Sequence, residues 1–591
     1  MKNKILTIIA AAVCLASCDL NYTPLSKLSP ETFFSNENEL QAFSNQFYST
    51  LNMNTYDEVS DLHIKNSLSE VMNGTRTVPN SGGGWSFTDL RNFNTLIEYS
   101  VNCPDEKVRT QYVALARFFR ANYYYEKVER FGDFPWYDRQ LGTEDAELYK
   151  PRDSREFIMT KIVEDLDFAI ANLSDKKDLY RVTKWSALAL KARICLFEGT
   201  FRKYHAGTNV LATLPADAQP YTYYLQLAAD AAAEIMNTSG YTLYKGNAKN
   251  TCYRDLFLGD PETGNAWADE VILARDYNAT LSILHNSTYF TIGNYGNPSM
   301  TRKMACSYLM ADGSRYTEQS GWETKEFKDE LKNRDPRMSQ TIRGLDYKRV
   351  DGTDIQAPSF ANTITGYQPV KYMLSVNAGA DTYNKSYQDL HIFRYAEILL
   401  IYAEAKAELG TLDQNDIDKS IKLLRDRVGM PNLNMAEANA NPCAYLSAAE
   451  TGYPNVTGSN KGVILEIRRE RMVEMFDENK RWYDILRWRN GQAFTHDILG
   501  IYVPGPGIYD LNGDGKNDVH FYKNGESAST EAGVVGRKID SDVFFTEGDH
   551  GYVIHPLSDN GKWNEERDYL YPLPVLEMQL NEALTQNPEW K

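Results

Sequence analysis

Long segments with apolar residues at helical spacing limit this chain more than any other feature. In "VRTQYVALARFFRANYYYEKVERFGDFPW", Val108, Tyr112, Leu115 and Phe119 fall on one face, and Gly132 with Pro135 stops the run. "DSREFIMTKIVEDLDFAIANL" opens with Asp153 and Glu156 three apart, a capping-box spacing. Its buried face is predicted as Ile158, Ile162, Leu166, Ala169 and Leu173. Further helices are expected in "TKWSALALKARICLFEG", "YYLQLAADAAAEIMNTSG" and "DIDKSIKLLRDRVGM". In "HIFRYAEILLIYAEAKAELG", Ile392, Ala396, Leu399, Ala403 and Ala407 share one side.

Hairpin-sized helices, alanines at crossings and glycine stops resemble degenerate tetratricopeptide repeats, although no strict period is visible. The expected fold is mainly α: degenerate tetratricopeptide-repeat hairpins followed by an irregular, loop-rich C-terminal part. Two stretches, 243–389 and 491–568, are rich in Gly, Asn, Asp and aromatic residues and read as long loops with short strands. Loops carried on a rigid scaffold are where binding residues concentrate.

The start of the chain sets its destination. "IIAAAVCLASCDLNYTP" follows Lys2 and Lys4, giving the basic, apolar and small-residue regions of a secretory signal. The apolar run is shorter than the roughly 20 residues that cross a bilayer. Leu15-Ala16-Ser17-Cys18 resembles a bacterial lipobox, in which the chain is cut before a cysteine that carries the lipid. The division expected is a lipoprotein signal at 1–17 and a lipidated tether at 18–30 anchored through Cys18, with Ser29-Pro30-Glu31 opening the body. An N-terminal helical region then covers 31–260 and a C-terminal region 261–591.

A formal charge of −17 over 591 residues makes nucleic acid and broad attraction to anionic lipid unsuitable partners. With Cys14 in the signal and Cys18 as anchor, Cys103, Cys195, Cys252, Cys306 and Cys443 remain. They are odd in number, scattered, and form no C-x-x-C, so buried thiols are expected rather than disulfides or zinc.

In "RRERMVEMFDENKRWYDILRW", Glu470, Glu474 and Asp484 alternate with Arg468, Arg471, Arg481 and Arg487. Two such acids could serve as an acid/base pair. Arginines three or four residues away favour an ion-paired scaffold instead, and Asp335 in "RDPR" and Glu404 in "YAEAK" read the same way. No catalytic residue is assigned.

In order along the chain, "ARFFRANYYYEKVERFGDFPW", "KWSALALKARICLFEG", "KNRDPRMSQTI", "TGYQPVKY", "FRYAEILLIYAEAKAELG", "LRDRVGMP", "EIRRERMVEMFDENKRWYDILRW" and "YLYPLPVLEMQLNEALTQNPEW" resemble the successive signatures of the SusD/RagB family of outer-membrane lipoproteins. The resemblance spans nearly the whole mature chain. It implies a non-catalytic surface lipoprotein that captures oligosaccharides for a SusC-like TonB-dependent transporter, with the hairpin face towards that barrel. RagB-like members make peptide an alternative cargo, and a surface glycoside hydrolase is the remaining enzymatic reading.

Sugar binding in water needs flat apolar faces for the C–H side of the ring and planar polar groups for the hydroxyls. Trp85 follows three glycines, with Asn73 and Arg76 just upstream; it either stacks on ligand or packs on the helix beginning near Leu90. Trp322 in "YTEQSGWETKEF" is a second candidate, and Tyr289 and Tyr295 form a third set. Trp482, Trp488 and Trp590 lie in scaffold motifs and are expected in the core. Finally, "DLNGDGKNDVHF" at 510–521 places Asp510, Asn512, Asp514, the Lys516 carbonyl and Asp518 in calcium-loop order. Phe521 stands where the closing acid belongs, and a plain surface-hairpin turn is the alternative. No cofactor is required; a structural Ca2+ is the one metal that these residues suggest.

Overall fold

The computed structural model describes residues 33–51, 55–259 and 266–591, so Cys18, the signal, the tether and Ser29-Pro30-Glu31 lie outside the described residues. The helical segments form as their periodicity requires. After a short α1 (Glu37–Ser44) come α2 (Thr88–Tyr99) and α3 (Glu106–Phe131); the side chain of Asp105 accepts from Lys107 and Val108 N–H, and Gly132 ends α3 in a positive-φ turn. α3 packs on α4 (Arg155–Asn172), then α5 (Lys184–Tyr204) on α6 (Tyr221–Thr238), as tetratricopeptide-like hairpins. A Cβ at Gly199 would stand 2.7 Å from Leu225 Cγ, which is why α5 and α6 meet through a glycine.

The predicted face of α4 is buried in full. Its cap is not the one expected: Ser154 accepts from Phe157 N–H, while Asp153 accepts from Trp136 N–H (2.7 Å) and pairs with Lys150 (2.8 Å). Asp153 is drawn away because its backbone pairs with Phe134 in the turn that returns from α3.

The α7 helix (Tyr395–Leu409) packs on α6 and on the later α9 (Lys461–Glu474); α8 (Ile421–Val428) precedes α9 and α10 (Arg481–Arg487) follows it. Ile392 belongs to the strand before α7, and α7 is buried on nearly every side rather than along one stripe. The remainder is loop with short strands, none above five residues among those described. β1 (His63–Ile64) pairs with β3 (Ser299–Met300), and β2 (Val271–Arg275) with β4 (Leu390–Arg394). β5 (Leu499–Val503), β9 (Phe544–Phe545) and β10 (Gly551–Ile554) form one three-stranded sheet; β6 (Gly507–Tyr509), β7 (Val519–Tyr522) and β8 (Val535–Lys538) form another. The five described cysteines are buried free thiols. Trp488 and Trp590 are buried, and Trp482 packs against the core.

The charged helix α9 is structural; Glu466 with Arg469, and Asp484 beyond the helix with Arg487, pair at the local spacing, but Glu470 and Glu474 do not. Glu470 binds Arg337 (2.5 Å) and Arg425 (2.9 Å); Glu474 binds Arg427 (2.6 Å), Arg394 (2.8 Å) and Arg337 (3.2 Å). Arg394 also holds Glu270 (2.9 Å) and Glu478 (2.7 Å), and Lys371 reaches Glu478 (2.8 Å). Asp335 caps its own helix and pairs with Arg337 (2.7 Å); Glu404 takes Arg487 and the Trp488 indole N–H. The reason is burial. α9 has no solvent face, so each charge must be neutralised from whichever side it points, and most of those sides belong to distant segments. Burial alone would raise Glu474, but Arg427, Arg394 and Arg337 hold it well below the ordinary carboxylate value.

A second tie anchors residues 55–65. Asp57 Oδ1 accepts from Lys480 N–H (3.0 Å) and Arg481 N–H (3.4 Å), capping α10 from far away in sequence, while Asp61 grips the Arg481 side chain (2.6 Å). Asp477 lies against Asp57 and bonds His63 (2.8 Å). Burial and the Asp477 charge push Asp57 up to about 7, against the opposing pull of His63 and the Arg481 N–H.

Three outcomes follow. Glu474→Gln should cost roughly 3–5 kcal/mol in urea unfolding because it strips a buried carboxylate from three guanidinium groups. Lys161→Ala, at the exposed Lys161–Glu164 pair, should cost less than about 1 kcal/mol. Because the folded pKa of Asp57 lies above its ordinary 3.8, its contribution is present below that value and is lost as pH rises through about 7. Melting temperature against pH should therefore fall less steeply across this window in Asp57→Asn than in the unmodified protein.

Candidate functional site

Trp322 stands at the mouth of a cavity of about 140 Å³. Gly321 supplies the left-handed turn (φ +68°) that opens the short Trp322–Thr324 helical turn. The Trp322 carbonyl accepts from Tyr316 Oη (3.0 Å) and Arg302 Nη2 (3.3 Å), while Tyr552 Oη donates to the Glu323 carbonyl (2.8 Å). The buried Arg302 guanidinium lies 5.6 Å from the Trp322 ring and 4.3 Å from Tyr552, and is itself held by Glu330 (3.4 Å). Tyr445 meets the Trp322 ring edge-on at 5.9 Å. Two aromatic side chains from opposite ends of the C-terminal half are thus fixed around one cation.

The opposite wall is apolar, from Ile64, Leu68, Met72, Phe494 and Ile498, and Glu450, Thr451, His496 and Asp497 add polar groups. Asp61 also lines the cavity, bound to Arg481 and to Lys303 (2.6 Å). Burial would raise it, yet these two cations hold it far below the ordinary value, so it cannot serve as a proton donor near neutral pH. Flat rings, apolar wall and a few planar polar groups can grip a sugar by its C–H face and its hydroxyls.

The other expected binding residues are placed differently. Arg76 is buried, ion-paired with Asp568 (3.0 Å) and packed among Tyr571 (4.6 Å) and Trp590 (5.3 Å); its planar group clamps the end of the chain rather than facing solvent. Asn73 closes a turn by accepting from Thr75 N–H (3.1 Å). Trp85 is only 7% exposed, in a ring cluster with Phe134 (4.5 Å) and Phe131 (5.2 Å), so the packing alternative describes its body. One edge still reaches a separate groove of about 360 Å³, together with Tyr137, Tyr149 and Leu580. Tyr295 is 41% exposed beneath Lys65 Nζ (4.3 Å), and Tyr289 meets Tyr383 edge-on (5.7 Å). Neither lines the Trp322 cavity: Lys65 and His63 point to one side of β1, Ile64 to the other.

Arg302, Tyr445 and Tyr552 were not legible as site residues. Tyr552 reaches the Trp322 turn from 229 positions away, and no local pattern reports its meeting with Arg302 and Tyr445 there.

The 510–521 loop connects β6 to β7. Asp510 accepts from Gly513 N–H (2.7 Å) and Gly515 N–H (2.8 Å), Asn512 from Asp514 N–H, Asp514 from Lys516 N–H and Asp518 from Leu511 N–H (2.8 Å). These side chains are engaged with the loop's own backbone. Among the described residues no group of three or more His, Cys, Asp or Glu is disposed to hold a metal ion. Burial, with Asp510 and Asp514 nearby, raises Asp518 to about 6.

Comparison with known proteins places this architecture. Residues 267–590 match the model of the SusD family, and residues 24–211 match one described as starch-binding associating with outer membrane. A SusD-like protein of Bacteroides ovatus is 22% identical over an alignment covering 100% of this chain and 98% of its own length. A SusD-like carbohydrate binding protein of Bacteroides fragilis has a solved structure that superposes with a TM-score of 0.66 at 18% identity, covering 94% of this chain and 100% of the other. A laminarin binding SusD-like protein gives 0.53 at 18% identity, with 94% and 100% covered. With the family model matching more than half of its length, the chain belongs to the SusD/RagB family.

Proposed function

We propose that the protein is a non-catalytic outer-membrane lipoprotein that captures oligosaccharides in the Trp322–Tyr552 cavity and hands them to a SusC-like TonB-dependent transporter. The observation that carries this reading is the pair of rings pinned around Arg302 beside a largely apolar wall. Pinned rings lose little freedom when a ligand stacks on them, which favours binding. The family relatives named for binding carbohydrate and laminarin support the cargo class. The description of outer-membrane association, with the lipobox cysteine Cys18, supports anchoring by lipid on the extracellular side. Among the described residues no helix is long and apolar enough to cross a membrane. The division into an N-terminal helical region, 31–260, and a C-terminal region, 261–591, remains part of this proposal.

Isothermal titration of the mature protein against a panel of oligosaccharides tests it. Trp322→Ala should weaken binding of the best ligand tenfold or more, about 1.4 kcal/mol or above, whereas Tyr295→Ala should leave it within about twofold. Release of reducing sugar from the bound oligosaccharide would refute the non-catalytic reading. Chelation with EGTA tests the calcium-loop order of residues 510–521: a fall in melting temperature restored by Ca2+ assigns the loop a structural ion, and no change makes it a plain surface-hairpin turn.

A further inference from the structure

A second cavity, of about 110 Å³, lies between the helical hairpins and the charged scaffold, with no lining residue in common with the Trp322 site. On the same measure one water needs roughly 10–15 Å³, so a molecule the size of a free amino acid fits. Thr50, Asn122 and Lys480 stand at the partly exposed mouth, and Glu129 and Arg471 are each 5% exposed inside.

Most charges lining this cavity are already spent on each other. Arg193 binds Glu397 (2.6 Å), and Asp484 binds the Arg471 Nε (2.8 Å) and Arg487 (2.8 Å). Two buried polar atoms are left without a hydrogen bond: Glu129 Oε1 and Arg471 Nη1. Such atoms are costly unless something fills them. The acid comes from α3 and the base from α9, with the Lys480 ammonium adding a second cation just before α10. Between them Phe197, Phe393 and the Tyr483 ring provide apolar wall, while the Tyr125 hydroxyl engages the Glu129 carboxyl and leaves Oε1 facing the cavity.

We propose that this cavity binds a small zwitterion of the α-amino-acid class, its ammonium donating to Glu129 and its carboxylate accepting from Arg471 and Lys480. A neutral sugar offers no charge to either end. An amine or an acid alone satisfies one end and leaves the other bare. Burial pushes the Glu129 carboxyl above its ordinary value, and an ammonium brought against it would pull that value back down, so ligand binding is expected to be coupled to proton release from this group. The inference stands independently of the sugar cavity.

Thermal shift and isothermal titration with glycine, alanine, leucine and serine test it on the mature protein, with butylamine and butyrate as single-charge controls. Titration is repeated in buffers of different ionisation enthalpy to count protons. The expected result is binding by at least one amino acid, with proton release, and at least tenfold weaker binding by both controls. Glu129→Gln should lose tenfold or more in affinity and release no proton, and Lys480→Met should weaken binding without abolishing proton release. Far-UV circular dichroism and a cooperative thermal melt report that each variant is folded. No binding by any amino acid up to about 10 mM, a control binding as tightly, or a folded Glu129→Gln that binds unchanged would overturn the proposal.

Discussion

The requirement that a buried charge be neutralised from every direction governs this molecule. α9 carries six charged side chains with no access to water. Its carboxylates collect Arg337, Arg394, Arg425 and Arg427, while Lys371 joins through Glu478. These cations come from "KNRDPR", "TGYQPVKY", "FRYAE" and "LRDRVGMP", the separated signatures that mark the family. They are one cluster in space. An ion cluster of this kind adds little net stability over a hydrophobic core, but it tolerates only one arrangement of its parts, because any other leaves a bare charge. It therefore fixes where the loops between those signatures emerge.

Tyr445, Glu450 and Thr451, from the loop between "LRDRVGMP" and α9, line the Trp322 cavity. Arg302 shows the same logic at smaller scale: paired with Glu330 beneath, it presents its flat face to Trp322 and Tyr552 and sets the spacing of the rings. Asp61 bridges the two levels, since it lines the cavity while binding Arg481 at the start of α10.

Sequence reading recovered what is local. The helix faces of α3 and α4, the glycine stop at Gly132 and the loop-rich C-terminal half all follow from periodicity and turn chemistry, which depend on neighbours a few residues away. It placed Trp322 correctly in an open polar loop. It could not give Glu470 its partners, because nearby arginines look sufficient until α9 proves to have no wet side. It also could not distinguish Arg76 from a ligand-binding arginine: a guanidinium that hydrogen-bonds a sugar and one that clamps a tail have the same local surroundings. Asp153 looked like a cap for the same reason, and the turn from α3 claimed it.

The clamp on Arg76 has a bearing on biogenesis. Its guanidinium donates to the carbonyl of Asp568, 492 positions later, and Trp590, the penultimate residue, packs against it. During synthesis the early loop is made long before its partner, so this contact waits until the segment 492 positions later has also left the ribosome.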